Sequence, residues 1–284
     1  MASQGQKGST CSVIIVTHNS QAYLPACLDA LRKQTCLPDQ VIIVDSGSTE
    51  SDYVAACSQD SYMQISLQKE NVGFCKGNNI GFSYVPLHTD YVLFLNPDAF
   101  LGPTFIEQAK AYMELPQSAH MGALSGLLLG YDVKQNKPTG LLDSSGIFRT
   151  WYGRWYDRGQ GQEAGCQPVH PEAVPALCGA LMFCRYRALQ DVCLEPFQVM
   201  DPTFYMYKED IDLSLRLRRK GWELWMLPHL WAYHCRGWQR DRSKVDKRLR
   251  LLSAKNEMRL YARFKSPCYF YSALKYLSVK AFDL

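Results

Sequence analysis

Short, almost wholly apolar runs recur through the first hundred residues, with polar, helically spaced stretches between them. Residues 12–16, 40–44, 63–67 and 91–95 are rich in Val, Ile, Leu and Phe. Runs of four to six such residues predict strands, and the unbroken ones predict strands buried on both faces. Between the first two, Leu24, Leu28 and Leu31 recur at helical spacing; a weaker helix is predicted around 50–57 and another from 75 to 82. Strand and helix alternating at this interval predict βαβ units, hence an α/β fold with a Rossmann-like, mostly parallel central sheet flanked by helices.

The rhythm changes after about residue 130. Residues 131–167 are rich in Gly, Asp, Trp and Tyr, which predicts hairpins and loops. A strand is expected at 180–183 and a helix at 209–220, closed by Gly221 as its C′ residue. A last strand is expected at 222–227; residues 240–265 are helical and basic, and 268–284 aromatic with scattered lysines. The pattern divides the chain into a flexible lead-in (1–10), a main domain (11–235) with halves at 11–130 and 131–235, and a basic, aromatic, helical C-terminal extension (236–284).

Composition narrows the class. With 47% apolar and 20% charged residues in 284, disorder and collagen-like repeats are excluded, and one large α/β domain or two small ones fit. No run approaches the ~18 apolar residues of a membrane span, and the first ten residues lack the apolar region of a signal peptide. The eleven cysteines form no C-x-x-C pair, and several, such as Cys11, Cys27 and Cys184, sit in or beside apolar segments. They read as small reduced core residues of a cytoplasmic protein rather than a disulfide framework or zinc site. Net charge is +4, but the stretch from Cys235 onward carries thirteen Lys or Arg against four acids, leaving the first 234 residues at −5. Such asymmetry points the basic end at an anionic partner. A nucleic acid is not expected, because the tail carries no nucleic-acid-binding signature.

In an open parallel sheet, ligands bind beyond the carboxyl ends of the strands. Those ends read Thr17-His18-Asn19-Ser20, Asp45-Ser46-Gly47-Ser48, Glu70 to Gly73 followed by Lys76-Gly77-Asn78-Asn79, and Asn96-Pro97-Asp98-Ala99. Four polar ends together suggest a cradle for a polar, phosphorylated ligand. Neither G-x-G-x-x-G after the first strand nor a Walker A loop is present, so a different nucleotide arrangement is required. Further on, Glu209-Asp210 opens a helix behind an aromatic stretch, and Trp151, Tyr152, Trp155 and Tyr156 cluster in the loop-rich middle.

Taken in order, the segments at 16–20, 44–48, 71–74 with 77–79, 95–99 and 207–213, with 143–146 through 157–159, resemble the inverting GT-A glycosyltransferases of family 2, most closely their bacterial rhamnosyltransferase-like branch. The resemblance covers about residues 11–260. It implies a nucleoside-diphosphate-sugar donor (dTDP- or UDP-linked) and a glycan or lipid-linked glycan acceptor. Asp45 would accept a hydrogen bond from a pyrimidine ring N–H. Thr17, Asn19 and Ser46 would line the base and ribose pocket, with Asn79 on the nucleotide and Lys76 at a phosphate. Asn96-Pro97-Asp98 stands at the family's D-x-D position with Asn in place of the first Asp. Asp98 would hold Mg²⁺ or Mn²⁺ together with His234, and His229 is the rival. Asp210 would be the base that deprotonates the acceptor, with Glu209 orienting acceptor or helix. Trp151 and Trp155 would offer the acceptor sugar a stacking platform.

Several of these residues also have purely local uses. Asp45 can close an Asx-turn, Asn96-Pro97-Asp98 can be a simple turn, Glu209 and Asp210 complement a helix dipole, and Lys76 can stay solvated. The resemblance implies transfer of rhamnose or another hexose with inversion, in cell-envelope polysaccharide synthesis. The basic tail implies peripheral attachment to the inner face of the cell membrane. Two other classes remain: a nucleotidyltransferase with a similar sheet, and a docking module with weakened catalysis, for which Asn96 speaks.

Overall fold

The computed structural model describes residues 8–57, 59–166, 168–235 and 246–282. Its first half follows the apolar runs. Strands β1 (Cys11–Thr17), β2 (Gln40–Asp45), β3 (Met63–Leu67) and β4 (Tyr91–Leu95) alternate with helices α1 (Leu24–Arg32), α2 (Asp52–Cys57) and α3 (Gly73–Ser83). The strands pair in parallel in the order β3-β2-β1-β4, with Thr17 beside Asp45. Every residue of β1 and β4 is buried, as continuous apolar runs require. Helix α1 buries Leu24, Cys27, Leu28 and Leu31. Helix α3 lies against β1 through Gly77 and Gly81, where an added Cβ would stand 2.6 Å from Val16 Cγ1 and 2.5 Å from Ile14 Cγ2.

The second half extends the same sheet. It contributes β5 (Ala99–Leu101), α4 (Phe105–Met113), β6 (Met121–Asp132), β7 (Lys137–Ser144), β8 (Ile147–Arg149), β9 (Trp155–Asp157) and β10 (Glu172–Ala173). Then follow β11 (Leu181–Arg185), α5 (Tyr186–Val192), α6 (Glu209–Arg219) and β12 (Glu223–His234). Beyond β4 the order is β11-β6-β12-β10, with β7 on β6 and β5 on β12, making ten strands. Strand β11 runs antiparallel to both β4 and β6, while β12 is parallel to β6. The sheet is therefore parallel in its first half and mixed in its second.

Two elements exceed their sequence signal. The apolar stretch of β6 was not assigned as a strand, yet it runs through the middle of the sheet. Strand β12 continues past the expected end at 227, because the register shift between Met226 and Trp231 places Pro228 in a bulge, where its missing N–H costs no ladder bond. Gly221 closes α6 at φ +88°.

Helices α7 (Lys247–Arg263) and α8 (Tyr269–Phe282) form most of the C-terminal extension. Helix α7 is a layer of the body, burying Ala254, Asn256, Glu257, Leu260 and Tyr261, and its Arg263 pairs with Asp201 and Asp212. Helix α8 packs on α7, and its Lys275 pairs with Glu257. Residues 1–7 of the expected lead-in and residues 236–245 and 283–284 of the basic extension lie outside the described residues. Among the described residues no helix is long and apolar enough to cross a membrane. No disulfide joins the ten described cysteines; burial pushes the Cys11 thiol up to about 12.

Candidate functional site

The carboxyl ends of β1 and β2 are tied to each other. Asp45 is buried, and its two oxygens accept from the Ser48 amide and the Ser48 hydroxyl, the Asx-turn that its position allows. Thr17 Oγ1 lies 2.8 Å from the Tyr53 hydroxyl, which also meets Ser48 Oγ at 3.2 Å. Asn19, exposed and at φ +50°, accepts from the Thr49 amide and so bridges the two turns. Ser46 Oγ accepts from the amides of Val72 and Gly73, fixing the start of α3 beneath β2. Gly47 allows this approach: at φ +63°, a Cβ there would fall 2.3 Å from the Glu70 carbonyl carbon.

On α3 the two expected ligand residues part company. Lys76 is exposed on the first turn. Asn79 faces inward: its Oδ1 accepts from Met200 N at 2.8 Å and its Nδ2 donates to Met200 O at 2.7 Å. Asn79 is expected at the nucleotide site; in this structure both ends of its side-chain amide are occupied by the Met200 backbone. Its buried amide is spent on holding the segment that leads to α6.

The turn at 96–98 leaves β4 in the middle of the sheet. Strand β5 follows at once and pairs with β12 so that Ala99 faces His234. That pairing brings Asp98 Oδ1 to 3.4 Å from His234 Nε2, while His234 Nδ1 meets Asp143 Oδ2 at 2.7 Å. Asp143, near the end of β7, also accepts from Gln160. Burial alone would lower the imidazole's pKa, but the carboxylates of Asp143 and Asp98 outweigh it and raise it to about 9. His229, the rival ligand, is exposed beside Tyr112, in the bulge of β12.

Asp98 and His234 fit a divalent cation in part. Among the described residues, Asn96 Oδ1 is buried with no hydrogen-bond partner, and buried His234 Nε2 faces Asp98 Oδ1 at 3.4 Å without a well-formed hydrogen bond, so both have room for a ligand. Asp143 behind His234 supplies the outer partner that orients a ligating imidazole. No group of three or more His, Cys, Asp or Glu able to hold a metal occurs among the described residues. Two protein ligands leave most of a hard cation's coordination to oxygens of a bound phosphate.

Glu209 and Asp210 start α6 behind a contorted segment. Tyr205, Tyr207 and Lys208 all have positive φ, at 62°, 70° and 73°, conformations that cost ~1–3 kcal/mol each outside glycine. The Asn256 amide of α7 donates to the carbonyls of Phe204, Met206 and Tyr207 and fixes the segment. Half-buried Asp210 accepts from Gly179 N at 3.2 Å and from Ile211 N. The next residue, Ala180, accepts from Asn96 N at 3.0 Å. Two hydrogen bonds and one peptide unit thus join the Asp210 carboxylate to the 96–98 turn. Glu209 is buried with no partner for Oε2; burial and the neighbouring Asp210 charge raise its carboxyl well above the usual range.

The two tryptophans do not join this cluster. Trp151 is 92% exposed. Trp155 is buried beneath Arg149 and lines a cavity of about 540 Å³ with Arg218, Tyr261 and Phe264. None of the residues named above at the strand ends lines that cavity. Trp151 and Trp155, expected as an acceptor platform, stand on a segment that packs on α7 and α8. The sequence reading also left Asp143, Gly179 and Asn256 unassigned. Asp143 was visible inside an Asp-Ser-Ser-Gly segment; the other two carry no motif.

The chain is similar to known proteins in sequence and in fold. The sequence model of glycosyl transferase family 2 matches residues 12–124. An N-acetylglucosaminyl-diphospho-decaprenol L-rhamnosyltransferase of Mycobacterium tuberculosis is 26% identical over 225 residues, 74% of this chain and 71% of that protein. An O-antigen chain rhamnosyltransferase of Salmonella typhimurium is 29% identical over 90 residues, 32% of this chain; the chain spans only 28% of that relative's length. Among solved structures, GalNAc-T7 with UDP, GalNAc and Mn²⁺ superposes with a TM-score of 0.67 at 16% identity, over 90% of this chain and 48% of the other. A mannosyltransferase of Pyrobaculum calidifontis with GDP-mannose and Mn²⁺ gives 0.61 at 14% identity, over 98% and 72%.

Proposed function

We propose that this chain, which matches the family 2 glycosyltransferases over residues 12–124, is one of them and moves a sugar, rhamnose or another hexose, from a nucleoside diphosphate to a glycan or lipid-linked glycan, with inversion. The observation that carries the reading is the link through Gly179 and Ala180. It sets a half-buried carboxylate, Asp210, beside a turn whose Asp98 approaches buried His234. The transferases of similar fold seen with UDP or GDP-mannose and Mn²⁺ support the donor class and the cation.

In this reading residues 11–130 bind the donor and 131–235 the acceptor. Thr17, Asn19, Asp45 and Ser46 shape the base and ribose end, and Lys76 meets a phosphate as a point charge. Asp98 and His234 would hold Mg²⁺ or Mn²⁺, which neutralises charge on the departing diphosphate. Asp210 takes the proton of the acceptor hydroxyl as its oxygen attacks the anomeric carbon, opposite the leaving group. The Gly179 amide keeps that carboxylate aimed. Glu209, held neutral beside it, adds no competing negative charge. The proposed setting is the cytoplasmic face of the membrane that bears a lipid-linked acceptor. A docking module with weakened catalysis is the second reading, favoured by Asn96 in place of an acid.

Thermal unfolding with dTDP- and UDP-sugars, with and without Mn²⁺, combined with product analysis, tests the proposal. A donor that raises the melting temperature only with the cation, and less so in Asp98→Ala, supports the assigned site. Donor binding without turnover for any glycan acceptor favours the docking module. If no sugar nucleotide shifts the transition, the proposal is wrong.

A further inference from the structure

Helix α8 carries two opposed stripes. Ser272, Tyr276 and Val279 turn toward the body, and Ser272 and Val279 are buried. Offset by two residues, about 200° round the helix, Phe270, Leu274 and Leu277 are 75%, 66% and 57% exposed. Their i, i+4, i+7 spacing makes one continuous apolar face. The 150–154 turn is seated at the start of the same helix: the Tyr152 ring meets Tyr271 at 5.4 Å, and the Gly153 carbonyl accepts from Tyr261 of α7. From this turn Trp151 projects into solvent. Two segments locked together thus expose four large apolar side chains.

The exposed charged residues flanking these side chains along the described chain are cations. Helix α8 contains two lysines and no acid. Lys280 follows Leu277 by three residues, Lys265 stands at the α7–α8 turn, and Arg149 and Arg154 flank Trp151; all four are exposed. The two acids of 246–282 are engaged, Asp246 capping α7 and Glu257 paired with Lys275. An apolar stripe and an indole accompanied by exposed Lys265, Lys280, Arg149 and Arg154 complement a lipid surface: rings and aliphatic groups at the headgroup boundary, cations on the phosphates.

We propose that the outer face of α8 and the 150–154 turn form a docking surface for an anionic lipid bilayer, entered by Trp151, Phe270, Leu274 and Leu277. Helix α7, packed on the body, is its support. The proposal needs neither donor nor acceptor, so it stands or falls apart from the transferase reading.

Co-sedimentation of the full chain with phosphatidylglycerol–phosphatidylcholine vesicles tests it, with pure phosphatidylcholine as control. The chain is expected to bind the anionic vesicles at low salt and to leave them at high salt. Phe270→Ser with Leu274→Ser and Leu277→Ser should weaken partitioning roughly tenfold or more at an unchanged melting temperature. Lys265→Glu with Lys280→Glu should weaken it at low salt only. Should the triple variant fail to fold, Trp151→Ser and Leu274→Ser singly must each still reduce binding. Absence of binding at low salt, or a triple variant that binds like the parent, overturns the proposal. So does a parent dimer that the triple variant splits while neither binds vesicles, since the face would then belong to a second copy of the chain.

Discussion

Glu209 and Asp210 are neighbours in different surroundings: Glu209 is buried with one oxygen unpartnered among the described residues, while Asp210 is half-buried and hydrogen-bonded. The Asp210 carboxylate accepts from two backbone amides, Gly179 and Ile211, which fix its direction. Asp210→Asn keeps the shape and removes the proton acceptor. Turnover should fall by roughly 10²–10⁴-fold, while the donor-induced rise in melting temperature stays; near-parental turnover would remove Asp210 from the mechanism. Glu209 is titrated upward by burial and by Asp210. A carboxyl whose folded pKa exceeds its unfolded value, about 4.3, favours folding in its protonated state. Its contribution is whole below the unfolded value and is lost as pH rises through the folded one. Glu209→Gln removes that loss, so its urea midpoint should gain on the parent's between about pH 5 and pH 8. A constant difference across that range contradicts the assignment. At this scale the sequence pointed to Asp98, His234 and Asp210 because each closes a short motif at an element end. Asp143 and Asn256 escaped because their roles depend on strands and helices that meet only in the fold.

Helix α7 acts on the site as an element. Its spacing of Leu and Arg predicts a helix, and its charge invites a surface reading, yet Asn256 is fully buried and serves three carbonyls of the segment that delivers Glu209 and Asp210. The three positive-φ residues there store strain that this amide helps to offset. Asn256→Leu leaves those carbonyls without the donor, at about 1–3 kcal/mol for such buried groups. The expected result is a loss of about 2 kcal/mol in urea unfolding, with a larger fall in kcat than in donor affinity, because the segment leads directly to Asp210 and reaches the donor side only indirectly, through Tyr205 and Asn71. An equal loss of donor affinity would show Asn256 holding the fold at large. Strand β12 gives the complementary lesson. The last strand is expected to end at 227, whereas the bulge at Pro228 carries the chain on to His234, the residue that meets Asp98.

At the scale of the molecule, the parallel half was legible because each strand is a self-contained apolar run with a helix between it and the next. The mixed half was not, because β4, β11, β6 and β12 become neighbours only after long returns of the chain, and no local pattern encodes that order. The C-terminal extension sits across the same divide. Its composition reads as one basic, aromatic unit, but its two helices are held differently, and truncation separates them. Ending the chain at residue 267 removes α8, which contributes buried Ser272 and Val279 and the Lys275 partner of Glu257. Glu257 is then opened to water, so it is not left as an unpaired buried charge, and the chain should still fold cooperatively. Ending it at residue 245 also removes α7. That takes away buried Leu260 and Tyr261, about 1.5–3 kcal/mol for each such side chain. It also takes Asn256 and the Arg263 that pairs with Asp201 and Asp212. Asp212 loses one of its two arginine partners and keeps Arg216. The sum rivals a domain's whole stability of about 5–15 kcal/mol. Urea unfolding should therefore give a sharp transition for the chain ending at 267 and none, or a broad one, for the chain ending at 245. Equal stability of the two would mean that α7, like the outer face of α8, is only a surface.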